Sequence, residues 1–225
     1  MAASEPVGRW SVWDWPVRLG HLALILGVAL MWWTGETGKM ELHSWVGYVI
    51  LVVVSSRIIW GFVGSRYARF TQFVRGPSTI LAYLRGRLPE SPGHNPLGAL
   101  SVLVLLALLF VQGATGLFTT DDIMFDGPLV GLAGDLSGTL GAIHETNWTL
   151  LQVFIALHVA AVLFYSLVKR QPIIRAMIVG KREESKGSDV PPVNTLWWVL
   201  LLALCAGLLT LILWFAPAPV SDYYF

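Results

Sequence analysis

Five histidines hold most of the chemistry this chain could perform, and two of them stand in a single apolar run. His144 and His158 are fourteen residues apart in a stretch that reaches Val168 before meeting Lys169 and Arg170. In a helix that spacing is about four turns, so both imidazoles face nearly the same way, ~21 Å apart along the axis. The run is long enough to cross a bilayer, and the separation approaches the distance between its two halves. An ionisable group inside a membrane helix is a functional-site candidate. Two on one face, one near each surface, predict a ligand for each of two cofactors, with partner ligands elsewhere in the chain.

The elements that must position them follow from composition. The chain of 225 residues is 55% hydrophobic and 13% charged, with eleven tryptophans; a soluble domain of this size carries about twice that charge. Apolar runs at about 16–35, 42–64, 97–119, 142–168 and 195–216 predict five spanning helices. The opening Met-Ala-Ala-Ser-Glu-Pro has no basic region before the first run and no cleavage pattern after it, so the first helix is expected to remain. Asp14 and Asn95 are natural N-caps, each followed by a proline suited to a first helical turn. A short interfacial helix is expected around Ser78 to Leu84. The arginines and aromatics of that segment read as headgroup contacts rather than a nucleic-acid surface. The loop 120–141 carries glycines at 127, 131, 134, 138 and 141, which fit either a smooth stripe on a short helix or a flexible loop. Cys205, the only cysteine, reads as a small buried apolar residue; it excludes intrachain disulfides and a Cys-x-x-Cys-His haem attachment.

Charge sets the orientation. Fourteen of the fifteen Lys/Arg residues fall on one side of such a five-helix path, leaving Lys39 on the other. By the positive-inside rule the N-terminus is cytoplasmic and the C-terminus lies on the outer side. The outer side holds Glu36, Glu41, Asp121, Asp122, Asp126, Asp135, Glu145 and Asp222.

Depths can then be matched. His21 lies toward the inner end of the first helix, level with His158. His43 opens the second helix at the outer surface, level with His144. Two pairs result, His21 with His158 inside and His43 with His144 outside, and each can hold an iron porphyrin between two imidazoles in the interior of a four-helix bundle. The bland alternative is that membrane histidines only hydrogen-bond neighbouring helices. Zinc or di-iron chemistry fits poorly, because no carboxylates or further histidines converge at either depth. Arg18 and Arg57 are cationic candidates for the porphyrin propionates, or else snorkel to the interface. Gly47, one turn beyond His43, leaves room for a flat group or for close helix packing. His94, just before the third span, reads as a loop residue.

Trp13-Asp14-Trp-Pro-Val-Arg18-Leu-Gly-His21, His43-Ser-Trp-Val-Gly47-Tyr48, Arg57-Ile-Ile-Trp-Gly-Phe-Val-Gly64, Gly93-His-Asn-Pro-Leu-Gly98 and the pair His144 and His158 together resemble the prokaryotic cytochrome b561 family, which includes the b-type subunits of nickel–iron hydrogenases. The resemblance covers about residues 10–182. It implies a di-haem cytochrome b unit over 1–182, with 183–225 as a linker and an additional C-terminal transmembrane helix. It also implies two b haems with bis-histidine ligation and electron transfer to or from membrane quinone. The acidic outer face suits a basic periplasmic partner such as a c-type cytochrome. The alternative within the family, a superoxide:quinone oxidoreductase, needs positive potential outside, where only Lys39 supplies it. Whether the chain is an enzyme in its own right or an electron-transfer subunit is left open by the residues. A third reading, a transporter or scaffold that relays protons through histidines, predicts no haem absorption band.

Overall fold

The computed structural model describes residues 8–87, 94–120, 125–184 and 194–217. Asp121, Asp122, Asp222, Lys186 and Gly93 lie outside the described residues. A strand β1 (Gly8–Ser11) leads into α1 (Trp15–Glu36), and a brief turn into α2 (Met40–Val63). Two short helices follow, α3 (Phe70–Phe73) and α4 (Pro77–Leu84), then the spanning helix α5 (Pro96–Gly116). The turn α6 (Val130–Ala133) precedes the long α7 (Ser137–Leu163), which ends in a π-helical turn over Phe164–Val168. The path closes with α8 (Ile173–Val179), strand β2 (Lys181–Glu184) and α9 (Thr195–Trp214). The result is an all-α integral membrane bundle with five helices long and apolar enough to cross a bilayer.

Local chemistry sets the helix starts. The Asp14 Oδ1 accepts from the Val17 amide at 2.8 Å, and Asn95 Oδ1 accepts from Gly98 at 2.7 Å, each with proline in the first turn. Asn194 caps α9 through the Leu196 amide. Gly38, at φ +66°, turns the chain between α1 and α2 in the left-handed region that disfavours side chains. The fourth span begins at Ser137, earlier than its apolar run, so Gly138 and Gly141 belong to the first turns of α7. Gly131 lies in α6 and Gly134 makes a positive-φ turn, so the glycine-rich loop is largely helical. The interfacial helix expected near Ser78 is α4.

Packing runs in sequence from α1 to α2, α2 to α5 and α5 to α7, with α9 against the outside of α2. Ile50, Val54, Leu106, Leu109 and Leu151 form the central seam of α2, α5 and α7, with Val54 and Leu151 almost fully enclosed. At the arginine-rich end, Val17, Trp60, Ala68 and Trp198 gather α1, α2 and α9. At the acidic end, Leu51, Leu117 and Leu129 meet Leu209 and Leu213 of α9. Large apolar side chains elsewhere face outward, as a lipid-facing surface requires. By contrast α1 and α7 are not in extended contact, although both carry histidines.

A collar of short elements covers the arginine-rich end. β1 pairs antiparallel with β2, Gly8 opposite Glu184 and Ser11 opposite Lys181. The Val12 and Trp13 amides donate to the Gly180 carbonyl. Gly180, at φ +82°, lies so close that a Cβ there would fall 2.8 Å from the Trp13 carbonyl oxygen. Tyr83 of α4 and Tyr165 of the π turn share a hydroxyl hydrogen bond of 2.7 Å.

Candidate functional site

The inner histidines come together across the gap between α1 and α7. The ring centroids of His21 and His158 are 6.4 Å apart, with planes inclined by 59°. Two imidazoles sharing one iron, with metal–nitrogen bonds of ~2.0 Å and about 1.1 Å from nitrogen to ring centre, would have ring centres roughly 6.2 Å apart. The separation therefore fits a bis-imidazole porphyrin site. The Nδ1 of His158 lies 3.1 Å from Ser101 Oγ on α5, which turns its other nitrogen toward the gap.

At the acidic end, His43 in the first turn of α2 and His144 in the second turn of α7 are close enough to influence each other electrostatically. Their hydrogen bonds define which nitrogen is available. His144 Nδ1 is 3.0 Å from the carbonyl oxygen of Gln112, which can only accept, so the proton sits on Nδ1. Thr115 Oγ1 donates to the Val111 carbonyl at 2.7 Å and presents its lone pair to the same Nδ1 at 3.3 Å. His43 repeats the device: the Thr34 hydroxyl is directed to the Leu30 and Met31 carbonyls, leaving its oxygen to accept from His43 Nδ1 at 3.1 Å. Both rings thus hold the Nε2 lone pair that a metal takes. Asn147, one turn beyond His144, donates to the Leu108 carbonyl at 2.9 Å and to Gln112 Oε1 at 2.6 Å, fixing α7 against α5 at this level.

Glycines bring the helices to the rings. A Cβ at Gly116 would lie 2.9 Å from His144 Cε1, and one at Gly35 3.5 Å from His43 Cε1. Gly47 instead faces Met31 of α1, where a Cβ would make ordinary contact at 3.5 Å. Among the described residues, no cluster of three or more His, Cys, Asp or Glu side chains could hold a metal ion.

The two arginines differ. Arg18 donates from Nε to the Met177 carbonyl at 3.0 Å and from Nη2 to Ile178, with its guanidinium over the Trp15 ring. It holds the carbonyl end of α8, where a cation suits the helix dipole. Arg57 is buried, 8% exposed, with Nη1 3.4 Å from the Ala68 carbonyl and its guanidinium 5.6 Å from the Phe70 ring centre. Asp14 lies near Arg57, but its oxygens already accept from Val17 and from Trp60 Nε1, the latter at 3.0 Å.

His94 is placed where the loop reading gave no hint. Its ring lies 4.5 Å from both Trp13 and Phe73, and its Nδ1 is buried with no hydrogen-bond partner. Burial chiefly, with Arg57, His158 and His21 adding, pushes its pKa down to about 3, so the ring is neutral at physiological pH.

Sequence reasoning also missed Thr34, Ser101, Thr115 and Asn147. Asn147, a polar amide in an apolar span, was the one with a usable signal.

The family model described as prokaryotic cytochrome b561 matches residues 12–180. A relative from Azotobacter vinelandii, a probable Ni/Fe-hydrogenase B-type cytochrome subunit, is 26% identical over 212 residues, covering 76% of this chain and 84% of its own length. No solved structure matches significantly.

Proposed function

Since the chain belongs to the prokaryotic cytochrome b561 family, we propose that it is a di-haem b-type cytochrome carrying electrons between a periplasmic redox partner and the membrane quinone pool. Membership makes it a membrane b-type cytochrome of an electron-transfer family. The observation that carries the finer reading is the spacing of His21 and His158, which suits two axial ligands on one iron. When bound, each haem supplies reversible one-electron chemistry.

The protein's part is to hold and tune. His21 and His158 are the inner ligands, His43 and His144 the outer ones. Thr34, Thr115 and the Gln112 carbonyl fix the outer rings, and Ser101 steadies His158. Arg57 is better placed than Arg18 to face a propionate, since Arg18 is engaged by α8. The orientation inferred from charge puts the acidic end in the periplasm and the N-terminus in the cytoplasm of a bacterial inner membrane. Asp126, Asp135, Glu36, Glu41 and Glu145 then offer a docking face to a basic c-type cytochrome, with salt-sensitive rates. Residues 1–182 form the redox unit in this reading, and 183–225 a linker and helix that contacts lipid or a partner subunit. The relative's name favours a redox subunit over a superoxide:quinone oxidoreductase.

Alanine replacement of each histidine, followed by a haem count on the purified protein, tests the assignment. His21→Ala and His158→Ala should remove one haem, and His43→Ala and His144→Ala the other. Retention of both haems in His43→Ala would overturn it.

A further inference from the structure

Two polar groups that no other contact uses fully, Arg57 and His94, fall at the arginine-rich end of the bundle. Arg57 is buried there and makes no salt bridge among the described residues. A charge taken out of water without a counter-ion is costly. Asp14 attracts it from a distance, but both Asp14 oxygens are engaged by the start of α1 and the Trp60 indole. His94 belongs to the same aromatic cluster: the Arg57 guanidinium lies over Phe70, Phe70 packs on Phe73, and Phe73 and Trp13 grip the His94 ring, whose Nδ1 is enclosed and unpartnered. A buried polar atom left unpaired costs about 1–3 kcal/mol. A buried guanidinium whose nearby carboxylate is already engaged, and an imidazole without a partner in the same aromatic cluster, together suit a carboxylate.

Two competing roles for His94 fit less well. As an axial ligand it would displace one of two rings that already stand at bis-imidazole spacing. As inert core it would need a partner for Nδ1, and the aromatic rings on its flanks offer none.

We propose that Arg57 and His94 together form the binding notch for the propionate carboxylates of the inner porphyrin, with Arg57 supplying the charge and His94 an Nδ1–H hydrogen bond. This rests on the cytochrome reading above. The propionates are the only charged parts of a b haem, and Arg57 and His94 stand at the arginine-rich end of the bundle, where such groups would avoid the hydrocarbon. Asn95, by capping α5, sets where His94 sits, and Trp13 brings it to the start of α1.

The test uses the full-length protein in detergent or lipid nanodiscs, titrated spectroelectrochemically at one pH. The inner haem is identified as the component missing from His158→Ala. Removing a donor or a cation from a propionate leaves more negative charge beside the iron and disfavours reduction. His94→Phe, which keeps the ring packing, should retain two haems and lower the reduction constant of the inner haem about tenfold, ~59 mV for one electron. Arg57→Gln should act in the same direction, and His94→Gln, which keeps a donor, should stay near wild type. The inner haem's propionate bending band in resonance Raman spectra should move in His94→Phe and Arg57→Gln alone. Unchanged potential and band in both variants would overturn the proposal. Loss of the inner haem from His94→Phe and His94→Gln alike, with the outer haem retained, would make His94 a ligand and also overturn it. Wild-type protein lacking low-spin bis-imidazole haem would sink the cytochrome reading itself, a failure visible before any variant is made.

Discussion

The two ends of the bundle hold their histidines by different means. At the acidic end the rings are set by the helices themselves. Threonine hydroxyls and a main-chain carbonyl fix the tautomer, and glycines let neighbouring backbone close on the rings. At the arginine-rich end one serine reaches His158, and the surroundings come from chain segments far apart in sequence. The first site is built by rigid spans; the second has the collar fastened to α1 one turn before His21, through Arg18 and α8. Preorganisation of the outer pair should therefore not depend on the collar, whereas the inner pair should feel changes in it.

The sharpest way to break that contrast is at Gly116. A valine there drives atoms into the His144 ring, and we expect near-complete loss of the outer haem with the inner haem retained, read from the haem count. Next is Thr34→Val, which removes the side-chain acceptor for His43 Nδ1–H. Loss of such a supporting partner typically costs 10–100-fold in affinity, so the outer haem should dissociate faster into apomyoglobin. Ser101→Ala should do less to the inner haem, because the ring pair remains intact; an equal effect would erase the distinction. Asn147→Leu should lower stability by about 1 kcal/mol, since hydrogen bonds between membrane helices are worth ~0.6 kcal/mol each, measured by thermal or denaturant unfolding. The smallest effect is expected from Asp126→Asn, a modest slowing of electron exchange with a basic cytochrome at low salt that vanishes at high salt.

Much of this was legible from the residues. A bilayer demands ~20 apolar residues per span and punishes uncapped ends, so five helices and the caps at Asp14 and Asn95 stand out. Matching depths brought His21 to His158 because span length fixes where each residue lies. The supporting hydroxyls were not legible: a threonine in a helix usually satisfies itself on the preceding turn, and Thr34 and Thr115 do this as well. Only the neighbouring ring reveals their second use. From sequence Arg18 reads as a propionate contact or a snorkelling cation; its partners in α8 are 159 and 160 residues away, a pairing no local pattern encodes. His94 looked like a loop residue for the same reason, its neighbours Trp13 and Phe73 coming from other segments.

The clasp between Arg18 and the carbonyls of α8, reinforced by the β1–β2 ribbon, has a consequence for biogenesis. The beginning of the chain cannot be fastened to the segment after the fourth span until some 180 residues have been synthesised. During that interval nothing in this clasp holds the basic ends of the first and fourth spans together. The gap in which His21 and His158 stand 6.4 Å apart therefore stays unfastened at its basic end until the segment after the fourth span has emerged.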